Sequence, residues 1–164
     1  MAGIVRKNMF NHAKELDKMT KMMPPKMRQA FERVVLAGKK IMYSKETQPV
    51  VDKFMNSDAP VAEKLGLGVA NIIVMIDNKA NGAVPKDILI PAATVLLFDA
   101  ADFLRKTGET VTVSDIGNAY EMMFFGIFQA YGMEPDQVEQ VFDKMGGQSQ
   151  VGAEEQAPEE QGNV

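Results

Sequence analysis

LGLGVANIIVMIDNKANGAVPKDILIPAATVLLF, Leu65 to Phe98, is the stretch that decides the fold. Its first half places Leu65, Val69, Ile72, Ile73 and Ile76 three and four apart, which is one face of an α-helix. Its second half carries Ile88, Val95 and Leu96 in a run that is apolar nearly all round, as a helix is when neighbours cover it. Asn81 to Pro85, NGAVP, is turn chemistry. The stretch therefore reads as a helical hairpin. A third uncharged run, Met122 to Met133, matches the first two (Leu65 to Ile76, Ile88 to Phe98) at 11 or 12 residues. That is the length of a core helix, well short of the roughly 20 residues of a membrane span.

Moving outward, the helical period persists. Pro24 and Pro25 end a first helix from Asn8 to about Met23, and Pro25 opens a second. The second carries Met27, Ala30, Phe31, Val34, Val35, Gly38, Ile41 and Met42 as one stripe. A short helix follows, with Thr47 as expected N-cap and Pro49 in its first turn. A fourth starts at Asp58 and Pro60 and runs to about Asn78. The fifth, Lys86 to Lys106, contains Pro91 and stops at Gly108. Ser114 and Asp115 are expected to cap a sixth, Ile116 to Tyr131, after an extended stretch at Glu109 to Val113. The last spans Pro135 to Met145. The reading is an all-α, compact bundle of six or seven helices with a disordered acidic C-terminal tail. Residues 1–7 form an N-terminal arm, 8–145 the helical domain, and 146–164 the tail, GGQSQVGAEEQAPEEQGNV, which has no aromatic residue to bury.

Composition removes many functions. Among 164 residues there is no Cys and one histidine, His12, so thiolate chemistry, disulfides and two-imidazole sites are absent. The start, MAGIVRKNMF, lacks the apolar core of a signal peptide, and a cytoplasmic chain is expected. Gly66-Leu67-Gly68 lacks the Lys-Ser/Thr of a phosphate loop. Asp77 to Ile88 has Gly82 at the sixth position of a calcium loop, but Lys79 stands at the third and Ile88 at the twelfth, where carboxylates belong. The helix after Ser114 has no basic residue with which to read DNA. Asp99 and Asp102 lie three apart, and Arg105 and Lys106 follow Asp102 at three and four residues, the spacing of helix-surface ion pairs, which a charged helix face explains better than acid–base catalysis. Neither enzyme activity, cofactor nor metal is expected. Gly66, Gly68, Gly117 and Gly126 inside helices point to close backbone packing.

The formal charge of −4 is unevenly spread. Residues 1–47 hold eleven basic side chains against four acids, leaving a net of −11 for the remainder. Within the basic part, Lys14, Lys18, Met19, Lys21, Met22, Met23 and Met27 interleave cations with flexible thioethers, a candidate surface for an acidic-apolar partner. The hairpin residues Leu65, Val69, Ile72, Ile73, Ile76, Ile88, Val95 and Leu96 are either the centre of the bundle or an element that leaves it to meet lipid. Three apolar helices look like more than one small core consumes, which favours self-association.

A Cys-free, Trp-free, Met-rich helical chain with a basic start and an acidic low-complexity tail resembles the minor structural and internal (ejection) proteins of tailed bacteriophage particles. The resemblance implies a virion protein that assembles with itself and with other particle proteins, and that contacts the host envelope transiently. It carries no functional residue over. Two functions are weighed: a non-enzymatic assembly protein, and an adaptor or chaperone that binds apolar client helices through the Met-rich basic helices. Nucleic acid is not expected as a partner, since Phe10 and Phe31 alone offer stacking surface there.

Overall fold

A computed structural model of the chain describes Lys14 and residues 17–144. The expected arm, the acidic tail and half of the expected first helix (8–13, 15 and 16) lie outside the described residues. Residues 17–22 are helical and lead into six helices: α1 (Pro25–Tyr43), α2 (Gln48–Met55), α3 (Val61–Lys79), α4 (Lys86–Lys106), α5 (Val113–Ala130) and α6 (Pro135–Lys144). No strand occurs among the described residues, so the all-α reading holds and the extended stretch before α5 is a connection.

The helix pair α3 and α5 packs most closely, and the sequence says why. A Cβ built at Gly66 would lie 2.5 Å from the Ala119 carbonyl oxygen, and one at Gly126 would lie 3.0 Å from the Ala70 Cβ. Small residues on both helices let the backbones approach. Gly38 on α1 does the same for Leu96 on α4. Helix α4 packs on α1, α3 and α5, and α1 also rests on α3; α2 covers α3 and the end of α1, and α6 closes on α5.

One core spans the elements. Leu65, Val69, Ile73, Ile76, Ile88 and Leu96 are buried in it, and Ile72 and Val95 pack partly buried against it. The hairpin is thus the centre of the bundle. Phe124 and Phe142, with ring centroids 5.1 Å apart, attach α6. No helix among the described residues is long and apolar enough to cross a membrane. The three runs differ in cover: Ile88 to Leu97 is largely buried, whereas on the third run only Met123, Phe124 and Ile127 are buried and Met122 and Tyr131 are exposed.

Two helix starts differ from expectation, and a third keeps its cap residue without the cap bond. Thr47 holds the N-cap position of α2, as expected, but its hydroxyl donates backward to the carbonyls of Ile41 and Ser44, tying off α1. The cap of α5 is Thr112, not Ser114. Its hydroxyl accepts from the Asp115 N–H at 3.1 Å while the Asp115 carboxylate accepts from the Thr112 N–H at 2.8 Å, a reciprocal capping box. Helix α3 starts at Val61, with Pro60 as its N-cap in extended conformation. Pro91 lies inside α4, and the helix runs through it. Gly108 and Gly132 end α4 and α5 with φ of 96° and 81°, where glycine avoids a steric penalty.

Candidate functional site

The candidate surface of cations and methionines splits in two. Lys14, Lys18, Met19, Lys21 and Met22 are exposed, Met22 at 85%. Met23 and Met27 are half-buried and pack on the core. The partition follows from Arg28. Its guanidinium donates to the carbonyls of Thr20 and Lys21, each at 3.0 Å, and of Met23 at 3.4 Å. A cation on the last carbonyls of a helical turn satisfies groups that have no partner within the helix. Arg28 thereby fixes the 17–22 segment against the start of α1. Lys14, Lys18 and Lys21 follow one another at spacings of four and three, so they read as one basic row; Lys21 also pairs with Asp17 at 2.7 Å.

An opposite row lies at the other end of the described chain. On α6, Val138 and Phe142 face the core, leaving Asp136, Glu139 and Asp143 exposed at spacings of three and four. Glu134 is exposed just before the helix. Basic and acidic helical faces therefore sit on different elements, each with solvent in front of it.

The polar node that sequence reading missed is centred on Asp77, which is 1% exposed. Its Oδ1 accepts from the Val84 N–H at 3.1 Å, and its Oδ2 accepts from Lys86 Nζ at 2.6 Å and from the Tyr131 hydroxyl at 2.6 Å. Lys86 Nζ also lies 4.2 Å from the Tyr131 ring centroid. Burial raises the Asp77 pKa, but the hydrogen bonds from Lys86, Tyr131 and the Val84 N–H outweigh it and hold the carboxyl below its ordinary value. Burial, then the Asp77 hydrogen bond and charge, push the Tyr131 phenol well above its ordinary value. Both carboxylate oxygens are committed, so the node is a clasp between the α3–α4 turn and the end of α5. The calcium-like spacing around Gly82 is this turn: the Gly82 N–H donates to the Asp77 carbonyl at 2.8 Å.

Asp102 pairs with Arg105 at 3.3 Å, as its spacing predicts. Asp99 instead reaches across to Lys39 on α1 at 3.1 Å, off the angle of a hydrogen bond. No group of three or more His, Asp or Glu side chains able to hold a metal ion occurs among the described residues.

An apolar cavity of about 40 Å³ is present among the described residues. It lies beneath α2, between α2 and α3, and continues into an open groove along Phe54, Asn71, Met75 and Lys79. No family model matches the chain, no curated protein matches it, and no solved structure matches it.

Proposed function

We propose that the protein is a non-enzymatic assembly protein whose copies associate head to tail, the basic N-terminal face of one against the acidic α6 face of the next. The observation that carries this reading is the pair of exposed rows, Lys14, Lys18 and Lys21 with Met19 and Met22 at one end, and Asp136, Glu139 and Asp143 at the other. Charge complementarity of this kind sets partner choice and register, and the exposed thioethers add apolar contact area. A contact between two different faces of one chain propagates into rings or filaments instead of closing on a two-fold axis. Many-copy association suits a virion internal protein of the tailed-phage type, which the sequence resembles. Envelope insertion by the hairpin forms no part of the proposal, because extracting α3 and α4 would dismantle the core.

The test is absolute mass by light scattering at physiological and high salt. The wild-type chain is expected to form a defined oligomer that dissociates as salt rises. Lys18→Glu/Lys21→Glu and Asp136→Lys/Glu139→Lys variants should each be monomeric alone and associate when mixed. A wild-type monomer at both salts would overturn self-assembly. Protection of an apolar client by that monomer would favour the adaptor reading.

A further inference from the structure

We propose that an open apolar groove between α1 and the α3–α4 turn binds an acidic segment of this same chain, residues 151–161, VGAEEQAPEEQ. The groove is walled by Ala30, Val34 and Ala37 of α1, by Ala80 at the end of α3, and by Ala83 and Pro85 of the turn, and its volume is about 320 Å³. Alanine at four of those six positions leaves a trough that accepts small side chains laid along it.

The cations of α1 are the second observation. Five occur on it, and they divide by side. Arg28 is committed to three carbonyls, and Lys39 to Asp99 of α4 at 3.1 Å. Lys26, Arg33 and Lys40 recur every seven residues, close to two helical turns, and so share one edge of α1. Arg33 lines the groove, which makes that edge its rim. All three are exposed, and none has an ion-pair partner among the described residues. An apolar trough with unpaired cations along one side calls for a ligand that combines small apolar side chains with carboxylates.

The sequence past Lys144 supplies one. In residues 151–161 two glutamate pairs, 154–155 and 159–160, alternate with Val151, Ala153, Ala157 and Pro158. Laid extended, the two pairs stand about 16 Å apart, inside the roughly 21 Å from Lys26 to Lys40 at the helical rise. The path is short. Tyr131 bonds Asp77, whose other oxygen holds the N–H of Val84 at the groove, so the chain leaves α5 beside it. Helix α6 then carries the chain about 15 Å away, and the nine residues from Lys144 to Ala153 span up to about 30 Å. Attachment to the same chain also presents the segment at a high effective concentration. A second copy's α6 fits less well. Asp136, Glu139 and Asp143 would meet the cations, but α6 has no exposed aliphatic or aromatic side chain to enter the trough.

The sequence has no cysteine, so Gln156→Cys carries a nitroxide label at a single position of the full chain. Amide signals of residues 30–37 and 80–84 are expected to lose most of their intensity relative to the reduced label, and to recover as salt rises. Arg33→Glu/Lys40→Glu should restore them. Ala83→Phe, which fills the trough and alters no charge, should weaken the loss as well. A mixture of isotope-labelled chain without nitroxide and nitroxide-labelled chain without isotope should show no loss. Unchanged intensity in the first sample, loss undiminished in either variant, or loss at those residues in the mixture would overturn the proposal, the last by assigning the segment to a neighbouring copy. The variants leave Lys14, Lys18, Lys21 and the α6 row intact, so the oligomer test and this one fail independently.

Discussion

The Tyr131 hydroxyl donates to the Asp77 carboxylate at 2.6 Å across 54 positions of sequence. That bond joins the C-terminal ends of α3 and α5, the two helices whose backbones approach most closely at Gly66 and Gly126. Small residues bring the pair together along its length and the clasp fixes its register at one end. Lys86 makes the third member, so the same carboxylate also anchors the start of α4.

Tyr131→Phe should lower stability by about 1.5 kcal/mol, the scale of a hydrogen bond to a charged group. Asp77→Ala should be worse, since it leaves the Val84 N–H and the Lys86 ammonium without their acceptor. Chemical denaturation with both variants measures the difference. Equal, negligible losses would show that the clasp contributes nothing.

The same node sets a pH window. The Asp77 carboxyl is held below its ordinary 3.8, so its contribution is complete above that value and is lost as pH falls through the lower folded value. The Tyr131 phenol is raised above 10.0, so its contribution is complete below 10.0 and declines as pH rises further. Thermal midpoints should form a plateau with an acid and an alkaline limb. Tyr131→Phe should make the alkaline limb shallower without abolishing it, since burial also raises the phenols of Tyr43 and Tyr120, and a pH series of melts would read the change directly.

The two glycines of the GLG run should respond with opposite signs. Gly66→Ala drives a Cβ to 2.5 Å from the Ala119 carbonyl oxygen, which only a backbone shift relieves, and should cost about 1–3 kcal/mol. Gly68→Ala meets no atom within 4 Å and should stabilise by up to about 1 kcal/mol. Urea midpoints of the two variants on either side of wild type would bear this out.

That contrast marks what the sequence makes legible. Periodicity located every described helix and most of the core, because burial of one face is written into spacings of three and four. It placed Gly66 and Gly68 in one class, since only the position of α5 separates them. The cap at Thr112 is legible as Thr-x-x-Asp, although Ser114 beside it is a cap residue type as well. Asp77 looked like the first residue of a failed cation loop. Its partner Tyr131 lies too far along the chain for any local pattern to connect them.

Ile73→Asp should unfold the domain. The side chain is 0% exposed in the core, and a carboxylate there has no cation to pair with. Loss of the helical circular-dichroism signal at room temperature is the expected result. A helical monomer with Asp at this position would contradict the burial.

Phe142→Ala should detach α6. Phe142 is 6% exposed, and its ring contacts those of Tyr120, Phe124 and Phe125. Truncating a buried phenylalanine costs about 3–5 kcal/mol. Because α6 carries the acidic row, the variant should also lose the salt-sensitive oligomer while α1 to α5 remain helical, a pairing that circular dichroism and light scattering together would detect.

Arg28→Ala separates stability from presentation. Its guanidinium holds three carbonyls of the segment that carries Lys18, Met19, Lys21 and Met22, yet it contributes no apolar side chain to the core. Removing it frees the segment from α1 without opening the bundle, so the melting midpoint should change little. Trypsin should then cut after Lys18 or Lys21 several times faster, because cleavage of a locally opened segment tracks its own opening equilibrium and not the global one. If the basic face works only when held against α1, the oligomer should weaken in the same variant despite every lysine being present. A midpoint that falls with the rise in cleavage would mean instead that the segment belongs to the cooperative core, and that Arg28 supports the fold rather than the surface.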